Sequence, residues 1–184
     1  VLQLSNNQLS GKIPAELGKL KKLESLNLYG NKFSGEIPAE LWSLVKIFDL
    51  TLGGNELTGT LPAEVGNLTD LTFLNLNSNQ LSGEIPVELG NLIRLRSLSM
   101  HSNKFSGPIP EELCNLVNLE YLDWDHNQLS GELPLKIENM ISLNELYLQV
   151  NQLSGQIPVE LGKLSNLEHI NLSENQFVGD IPVE

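Results

Sequence analysis

Carboxylate and imidazole side chains, the groups best suited to acid–base or metal chemistry, concentrate in one stretch of this sequence. Asp123, Asp125 and His126 lie close together in the chain. His101 precedes Asp125 by 24 residues, and Glu145 follows it by 20. The pair Asp123 and Asp125 could supply the two carboxylates of glycoside hydrolysis, whereas His101 and Asp125 could contribute ligands to a metal ion. The distances between these groups depend on the elements that position them, and those elements repeat along the chain.

Three residue types recur at a constant interval of 24 residues, without an insertion. Types that stay in phase over eight copies indicate stacked repeats, in which each unit packs against its neighbours. The glycines run from Gly11 to Gly179 and the prolines from Pro14 to Pro182. The asparagines are Asn7, Asn31, Asn55, Asn79, Asn103, Asn127, Asn151 and Asn175.

The segment 23–46 represents the repeat unit. Leu26 and Leu28 are separated by one polar residue, which is typical of a short strand with one buried face. Pro38 then starts a short helical turn, where its missing N–H costs nothing. The leucines three and six residues after this proline can both point inward from that turn. Each unit therefore supplies one strand and one helical turn to a shared leucine core.

The repeated asparagine is predicted to belong to the scaffold. A coil that leaves its strand has backbone amides without ladder partners, and a buried side-chain amide offers two donors and an acceptor to satisfy such groups. At 24-residue intervals these side chains should stack as a ladder through the core, which favours a structural role over ligand contact. The ladder residues are Asn31, Asn55, Asn79, Asn103, Asn127 and Asn151.

Glutamates lie two residues after most of the prolines, so each should fall in the first turn of a helical element. A negative side chain suits the positive end of the helix dipole and the free N–H groups there. We interpret this column as local stabilisation and not as a cation-binding stripe. It comprises Glu16, Glu40, Glu64, Glu88, Glu112, Glu160 and Glu184, with Lys136 as the exception.

The run Leu-Ser-Gly-x-Ile-Pro-x-x-Leu-Gly-x-Leu at 81–92 and 153–164 resembles the plant-specific leucine-rich repeat of receptor-like kinases, receptor-like proteins and polygalacturonase-inhibiting proteins. The resemblance implies an α/β repeat solenoid, a right-handed superhelix with a concave parallel β-sheet and short helical or 3-10 turns on the convex side. It further implies a second short strand around the Leu-Ser-Gly-x-Ile segment. We expect residues 1–184 to form a single array of about seven and two-thirds repeats (184 divided by 24). The cysteine-paired caps of that family are missing, since Cys114 is the only cysteine.

Four columns of side chains are predicted to face outward from the strands, at the positions equivalent to Ser25, Asn27, Tyr29 and Gly30. The stability of a sheet does not require exposed aromatic residues, and such residues are typical binding anchors. Eight strands about 4.8 Å apart would span about 34 Å, enough for a peptide or one face of a protein. The candidate ligand-binding residues are Tyr29, Asp49, Phe73, His101, Tyr121, Asp123, Asp125, His126, Glu145 and Tyr147.

A gently curved sheet spreads its side chains apart, and this weakens both chemistries considered for the carboxylates and imidazoles. A metal site needs three or four ligands that converge on one point. A catalytic carboxylate pair needs an enclosing cleft that raises the pKa of one member. Hydrolase, metalloprotease, phosphate-loop and dinucleotide motifs are absent from the sequence. We therefore predict no enzyme, no metal and no cofactor.

Charge and hydropathy exclude two further classes of partner. The formal net charge of -12 argues against nucleic acid, whose phosphates require clustered Lys and Arg. No apolar run is long enough for direct membrane insertion of this segment. Sequons make Asn67 and Asn171 candidate N-glycosylation sites if the chain is secreted, and a glycan on Asn171 would obstruct part of the outward sheet surface.

These features predict a non-catalytic recognition module that binds a protein, peptide or glycan on the concave face, receptor-like or inhibitor-like. The resemblance favours an extracellular or cell-surface location. The alternative is an intracellular scaffold or sensor segment of a larger GTPase or nucleotide-binding protein, which one cysteine and no caps also allow. A third function, ice binding, needs a regular column of hydroxyls or amides, and Asp123 and Tyr147 interrupt the only column that approaches one.

Overall fold

A computed structural model describes residues 1–182, and within them the repeats stack side by side into one parallel eight-stranded sheet. Its strands follow one another across the sheet in sequence order, as expected when each repeat packs only against its neighbours. They are Leu2–Gln3, Ser25–Asn27, Asp49–Thr51, Phe73–Asn75, Ser97–Ser99, Tyr121–Asp123, Glu145–Tyr147 and His169–Asn171.

The register of this sheet is constant. Leu26 pairs with Leu50, and Leu122 pairs with Leu146, so each residue lies beside the residue 24 positions further along. Because no repeat contains an insertion, every column of the sequence becomes a row of neighbouring side chains across the sheet. The predicted parallel sheet is confirmed, and its rows are those that the repeat defines.

The second short strand of each repeat is also confirmed. These strands form a three-stranded and a five-stranded parallel sheet, and a bridge between Thr60 and Ser82 lies where the two sheets meet. The first sheet contains Ser10–Gly11, Lys32–Glu36 and Glu56–Thr58. The second contains Ser82–Glu84, Lys104–Gly107, Gln128–Gly131, Gln152–Gly155 and Gln176–Phe177.

Each helical turn is a 3-10 helix of five residues that follows a proline. Pro38 has extended backbone angles and directly precedes the helix, and its carbonyl accepts a hydrogen bond from the Leu41 N–H. The proline therefore lies one residue before the position expected from the sequence, where its missing N–H still costs nothing. Glu40 falls in the first turn, as do its equivalents, except that Glu184 lies outside the described residues. The helices are Ala15–Lys19, Ala39–Ser43, Ala63–Asn67, Val87–Asn91, Glu111–Asn115, Leu135–Asn139 and Val159–Lys163.

The core between the sheets and the helices is a continuous stack of leucines with a few larger or softer residues. Trp124 takes a leucine position between Met100 and Leu148 and is fully buried. Trp42, which replaces a glycine of the repeat, is also buried, so both tryptophans pack in the core. Burial raises the pKa of the Cys114 thiol to about 11, which leaves it protonated and unreactive at neutral pH.

The repeated asparagines join three strands of the scaffold. The Asn127 amide donates to the carbonyls of Trp124 and Met100, each at 3.1 Å, and its Oδ1 accepts the Phe105 N–H at 3.0 Å. One side chain thus provides hydrogen-bond partners for three backbone groups: a carbonyl at the end of its own strand, a carbonyl at the end of the preceding strand, and an N–H at the start of a strand in the second sheet. The same pattern is present at Asn31, Asn55, Asn79, Asn103, Asn151 and Asn175.

Candidate ligand-binding surface

The outward rows of the eight-stranded sheet form one surface, called here the sheet face. It consists of the four columns that contain Ser25, Asn27, Tyr29 and Gly30 with their 24-residue equivalents. The candidate residues on it differ in exposure: Tyr29, Phe73 and His126 are exposed, Asp49, His101, Tyr121, Asp125, Glu145 and Tyr147 are half-buried, and Asp123 is buried.

Tyr121 and Tyr147 form an aromatic pair on this surface, with ring centroids 6.0 Å apart. The Tyr121 hydroxyl donates to Asp123 Oδ2 at 2.9 Å, and the Tyr147 hydroxyl donates to Glu145 Oε2 at 2.9 Å. These hydrogen bonds raise the pKa of both tyrosines, with burial as the largest cause at Tyr121 and the bond to Glu145 as the largest at Tyr147. Both phenols therefore stay protonated donors, and their rings are held in fixed orientations before any ligand arrives.

Asp123 does not project into solvent as its place in an outward column suggests, since only 8% of the residue is exposed. Burial raises the pKa of its carboxyl, while the hydrogen bonds from the Tyr121 hydroxyl and the Asp125 N–H act in the opposite direction. Asp123 thus supports the Tyr121 ring and is not itself an exposed group of the sheet face.

Asp125 collects side chains from three neighbouring repeats. Gln149 Nε2 donates to its Oδ2 at 2.6 Å, and His126 Nδ1 lies 3.1 Å from its Oδ1. His101 Nδ1 lies 3.8 Å from the same Oδ1 atom, and His101 Nε2 lies 4.0 Å from Asp123 Oδ2. The structure therefore brings the imidazoles and carboxylates of the sequence together. Gln149 was missed as a candidate, although its 24-residue interval from Asp125 places it in the same row, in the adjacent repeat.

Among residues 1–182, no group of three or more His, Cys, Asp or Glu side chains is arranged to hold a metal ion. Asp123 and Asp125 lie on one segment, and the Asp125 N–H donates to Asp123 Oδ1 at 3.3 Å. The arrangement is suited to holding ligand groups by hydrogen bonds and charge.

A second candidate site lies three strands away, in a depression of about 550 Å³ around Asp49. Ser25 Oγ donates to Asp49 Oδ2 at 2.9 Å, and Thr51 Oγ1 donates to Asp49 Oδ1 at 3.0 Å. Both carboxylate oxygens therefore have fixed positions. The lining residues are Ser5, Asn6, Asn27, Tyr29, Phe48, Asp49, Thr51, Thr72, Phe73 and Asn75.

Phe48 is a functional candidate that sequence reasoning missed. It lies directly before the strand Asp49–Thr51, outside the four outward columns, and 44% of it is exposed. The equivalent residues before it and after it are polar or charged, at Glu24, Thr72 and Arg96. The sequence could have indicated Phe48, because it is an aromatic residue at a position that is hydrophilic in the neighbouring repeats.

Comparison with known proteins identifies the repeat. A family model described as a leucine-rich repeat region matches residues 1–127, and the Leucine Rich Repeat model matches 118–140, 142–164 and 166–184. The chain belongs to the leucine-rich-repeat family. No curated protein sequence matches it.

Solved structures of plant receptors resemble this leucine-rich-repeat chain over nearly its whole length. A plant peptide hormone receptor, RGFR1 in complex with RGF2, is 40% identical with a TM-score of 0.97, covering 98% of this chain and 29% of that one. The ectodomain of the Arabidopsis thaliana receptor kinase GASSHO1/SCHENGEN3, in complex with CASPARIAN STRIP INTEGRITY FACTOR 2, is 42% identical with a TM-score of 0.97. The match covers 98% of this chain and 22% of the receptor chain. A plant ice-binding protein is 27% identical with a TM-score of 0.74, and the match covers 99% of this chain and 74% of the ice-binding protein. This chain spans less than a third of either receptor chain.

The sheet face of this leucine-rich-repeat chain is anionic. None of the 11 Lys and Arg residues occupies one of its four columns within residues 1–182. Arg96, in the row of Phe48 at the edge of these columns, forms an ion pair with Glu120. Five carboxylates occupy the columns, at Asp49, Asp123, Asp125, Glu145 and Glu174. This distribution favours ligands with positively charged groups and disfavours anionic ones.

The two sequon asparagines differ in their surroundings. Asn67 is exposed at the last residue of the helix Ala63–Asn67, away from the sheet face. Asn171 is half-buried in the last strand of the eight-stranded sheet, and its Oδ1 accepts the Ser173 hydroxyl at 2.7 Å. Among residues 1–182, no helix is long and apolar enough to cross a membrane.

Proposed function

We propose that the sheet face is the concave, receptor-like recognition surface of this chain and that it binds a peptide in extended conformation. The observation that carries this proposal is the Tyr121–Tyr147 pair, in which each half-buried ring is held by a hydrogen bond from its hydroxyl to a carboxylate. Aromatic side chains held in place contribute large contact areas at a low entropic cost, and they are enriched among residues that dominate binding energy.

The dimensions and the relatives support a peptide as the ligand. Eight strands spaced about 4.8 Å apart give a surface about 34 Å long, which accommodates about ten residues of extended chain. One similar structure is a plant peptide hormone receptor with its ligand bound, and it is 40% identical to this chain. Both lines of support concern the sheet and the repeats of this chain.

Ice binding, suggested by the similarity to a plant ice-binding protein, has less support. A surface that binds ice needs a regular row of exposed hydroxyl or amide groups. In the row from Asn27 to Asn171, the residues Thr51, Ser99 and Asp123 are each more than nine-tenths buried. The row therefore offers no continuous line of exposed groups, and a ligand with side chains of its own fits the uneven surface better.

The scaffold alternative, in which the repeats bind a domain of the same larger protein, predicts a different contact. A folded domain would cover the sheet face broadly, whereas a peptide would depend on a few anchors near its ends. A glycan at Asn67 in native material would exclude the intracellular alternative, because N-glycosylation takes place in the secretory pathway.

A display library of random decapeptides, selected against the 184-residue chain, tests the proposal. Replacing both anchors, Tyr121→Ala with Tyr147→Ala, is expected to weaken the selected peptides at least tenfold, since each anchor contributes about 1–2 kcal/mol. The matched control is Val117→Ala with Ile141→Ala, two exposed apolar residues outside the sheet face. Equal affinities of the tyrosine variant and the unmodified chain, with unchanged circular dichroism, would overturn the assignment of this surface.

A further inference from the structure

The depression around Asp49 combines aromatic rings with a single charge. Phe48 is 44% exposed, and Tyr29 and Phe73 are each 38% exposed, although all three are large apolar side chains. They come from three successive repeats and line one depression, together with polar residues and one carboxylate, Asp49. We propose that this depression is a binding site for a cationic side chain, arginine or lysine, of the peptide ligand. This inference rests on the proposed peptide-binding function and adds the chemistry of one ligand residue.

The aromatic rings supply one part of the recognition. The face of an aromatic ring attracts a cation electrostatically, and several rings around one space are the arrangement by which proteins bind ammonium groups. The Thr72 N–H and the Phe73 N–H both donate to the Phe48 carbonyl, at 2.8 and 3.0 Å, which joins the backbones of the two phenylalanines across adjacent repeats. Tyr29 belongs to the repeat before that of Asp49, whereas Phe73 belongs to the repeat after it.

Two consecutive glycines keep the space beside these rings open. A Cβ atom at Gly54 would lie 3.5 Å from Tyr29 Cε2, so the tyrosine ring leans over a position without a side chain. A Cβ atom at Gly53 would overlap Asn75 Oδ1 and Asn77 Oδ1. The missing side chains therefore make room for the ring and for the amide of Asn75, which lines the depression.

Asp49 supplies the charge. Its two oxygens accept the hydroxyls of Ser25 and Thr51, which fixes the carboxylate and leaves further lone pairs for a ligand donor. A guanidinium or ammonium group would bring several donors and the opposite charge to this point. The sheet face around it carries carboxylates and no Lys or Arg within the described residues, so charge complementarity selects a cation over an anion.

Nuclear magnetic resonance titration of the 184-residue chain with two small probes tests the inference directly. N-acetyl-L-arginine methylamide carries the guanidinium, and N-acetyl-L-citrulline methylamide has nearly the same shape without the charge. We expect the arginine probe to shift the backbone amides of Asp49, Thr51 and Phe73 and to bind at least tenfold more tightly than the citrulline probe. Equal binding of the two probes, or shifts confined to the region of Asp123 and Asp125, would overturn the site.

Variants separate the contributions of charge and rings. Asp49→Asn keeps the shape of the side chain and is expected to weaken the arginine probe at least tenfold. Asp70→Asn makes the same change of net charge outside the depression and is expected to leave binding unchanged. Phe73→Leu keeps apolar bulk without the ring and should weaken binding about three- to tenfold. An arginine probe that binds the Asp49→Asn and Phe73→Leu variants as tightly as the unmodified chain would show that the site is wrong.

The result also separates this inference from the proposed function. If selected decapeptides bind and depend on Tyr121 and Tyr147, but exchange of their basic residues for citrulline or Asp49→Asn has no effect, the cation site is wrong and the peptide-binding function stands. If the arginine probe binds at Asp49 and no decapeptide binds the sheet face, the cation site stands and the peptide-binding function is wrong.

Discussion

Tyr121 and Tyr147 lie diagonally across two paired strands, with an interplanar angle of 56° between their rings. In this register Tyr121 is the neighbour of Glu145, and Asp123 is the neighbour of Tyr147. Each tyrosine donates its hydroxyl to the carboxylate of its own strand, which is also the carboxylate beside the other tyrosine. The four side chains therefore form one alternating arrangement of rings and carboxylates. Replacement of one ring should change the contribution of the other ring to stability.

The coupling between these two rings is the first prediction. In a double-mutant cycle on Tyr121→Ala and Tyr147→Ala, the free energies of unfolding should be non-additive by about 0.5–1.5 kcal/mol, because tilted aromatic pairs contribute that much beyond area burial. Urea unfolding monitored by circular dichroism measures it. The pair Tyr29→Ala and Tyr147→Ala, in repeats that do not touch, serves as the control and should be additive.

Asp123 should make stability depend on pH in a defined direction. Burial raises the pKa of its carboxyl in the folded chain above the ordinary value of about 3.9, so the folded state binds the proton more tightly than the unfolded state. The free energy of unfolding therefore falls as the pH rises from the ordinary value through the raised one.

The variant Asp123→Asn isolates this effect, since its amide oxygen can still accept the Tyr121 hydroxyl. It should match the unmodified chain in stability below pH 4 and exceed it at neutral pH. Urea unfolding at a series of pH values gives the difference. A difference that stays constant over the whole series would contradict the raised pKa.

Removal of one ladder asparagine should destabilise the chain strongly. Asn127→Ala removes the partners of the Met100 and Trp124 carbonyls and of the Phe105 N–H. Buried polar groups left without partners cost about 1–3 kcal/mol each, so we expect a loss of at least about 2 kcal/mol in the free energy of unfolding. The neighbouring exposed Gln128→Ala should change it by less than about 0.5 kcal/mol.

Gly90, one of the glycines in the 3-10 helices, should not tolerate even one methyl group. A Cβ at Gly90 would overlap the Glu112 carbonyl oxygen of the next repeat, so the two helices would have to separate. We expect Gly90→Ala to cost about 1–3 kcal/mol, the usual range for overpacking. Val87→Ala, at an exposed position of the same helix, is the reference and should be nearly neutral. Thermal unfolding of both variants measures the difference.

The sequence predicted those features that depend on the residue's place in the repeat. The pairing of Leu26 with Leu50 follows from the interval alone, as does the placing of Asp125 beside Gln149. The burial of Asp123 does not follow from the interval, because it depends on the side chains packed around one particular carboxylate. Phe48 was missed for a related reason, since its column lies outside the strand and only the three-dimensional depression joins it to Tyr29 and Phe73.

The constant register also sets the distance between the two candidate sites. Asp49 and Tyr121 belong to one row and are three strands apart, which corresponds to about 14 Å at about 4.8 Å per strand. Excision of 24 residues between them would restore every pairing and shorten this distance by about 4.8 Å, the length of about one and a half residues of extended peptide. The number of repeats between the sites therefore determines the length of ligand that reaches both, in steps that no point substitution can reproduce.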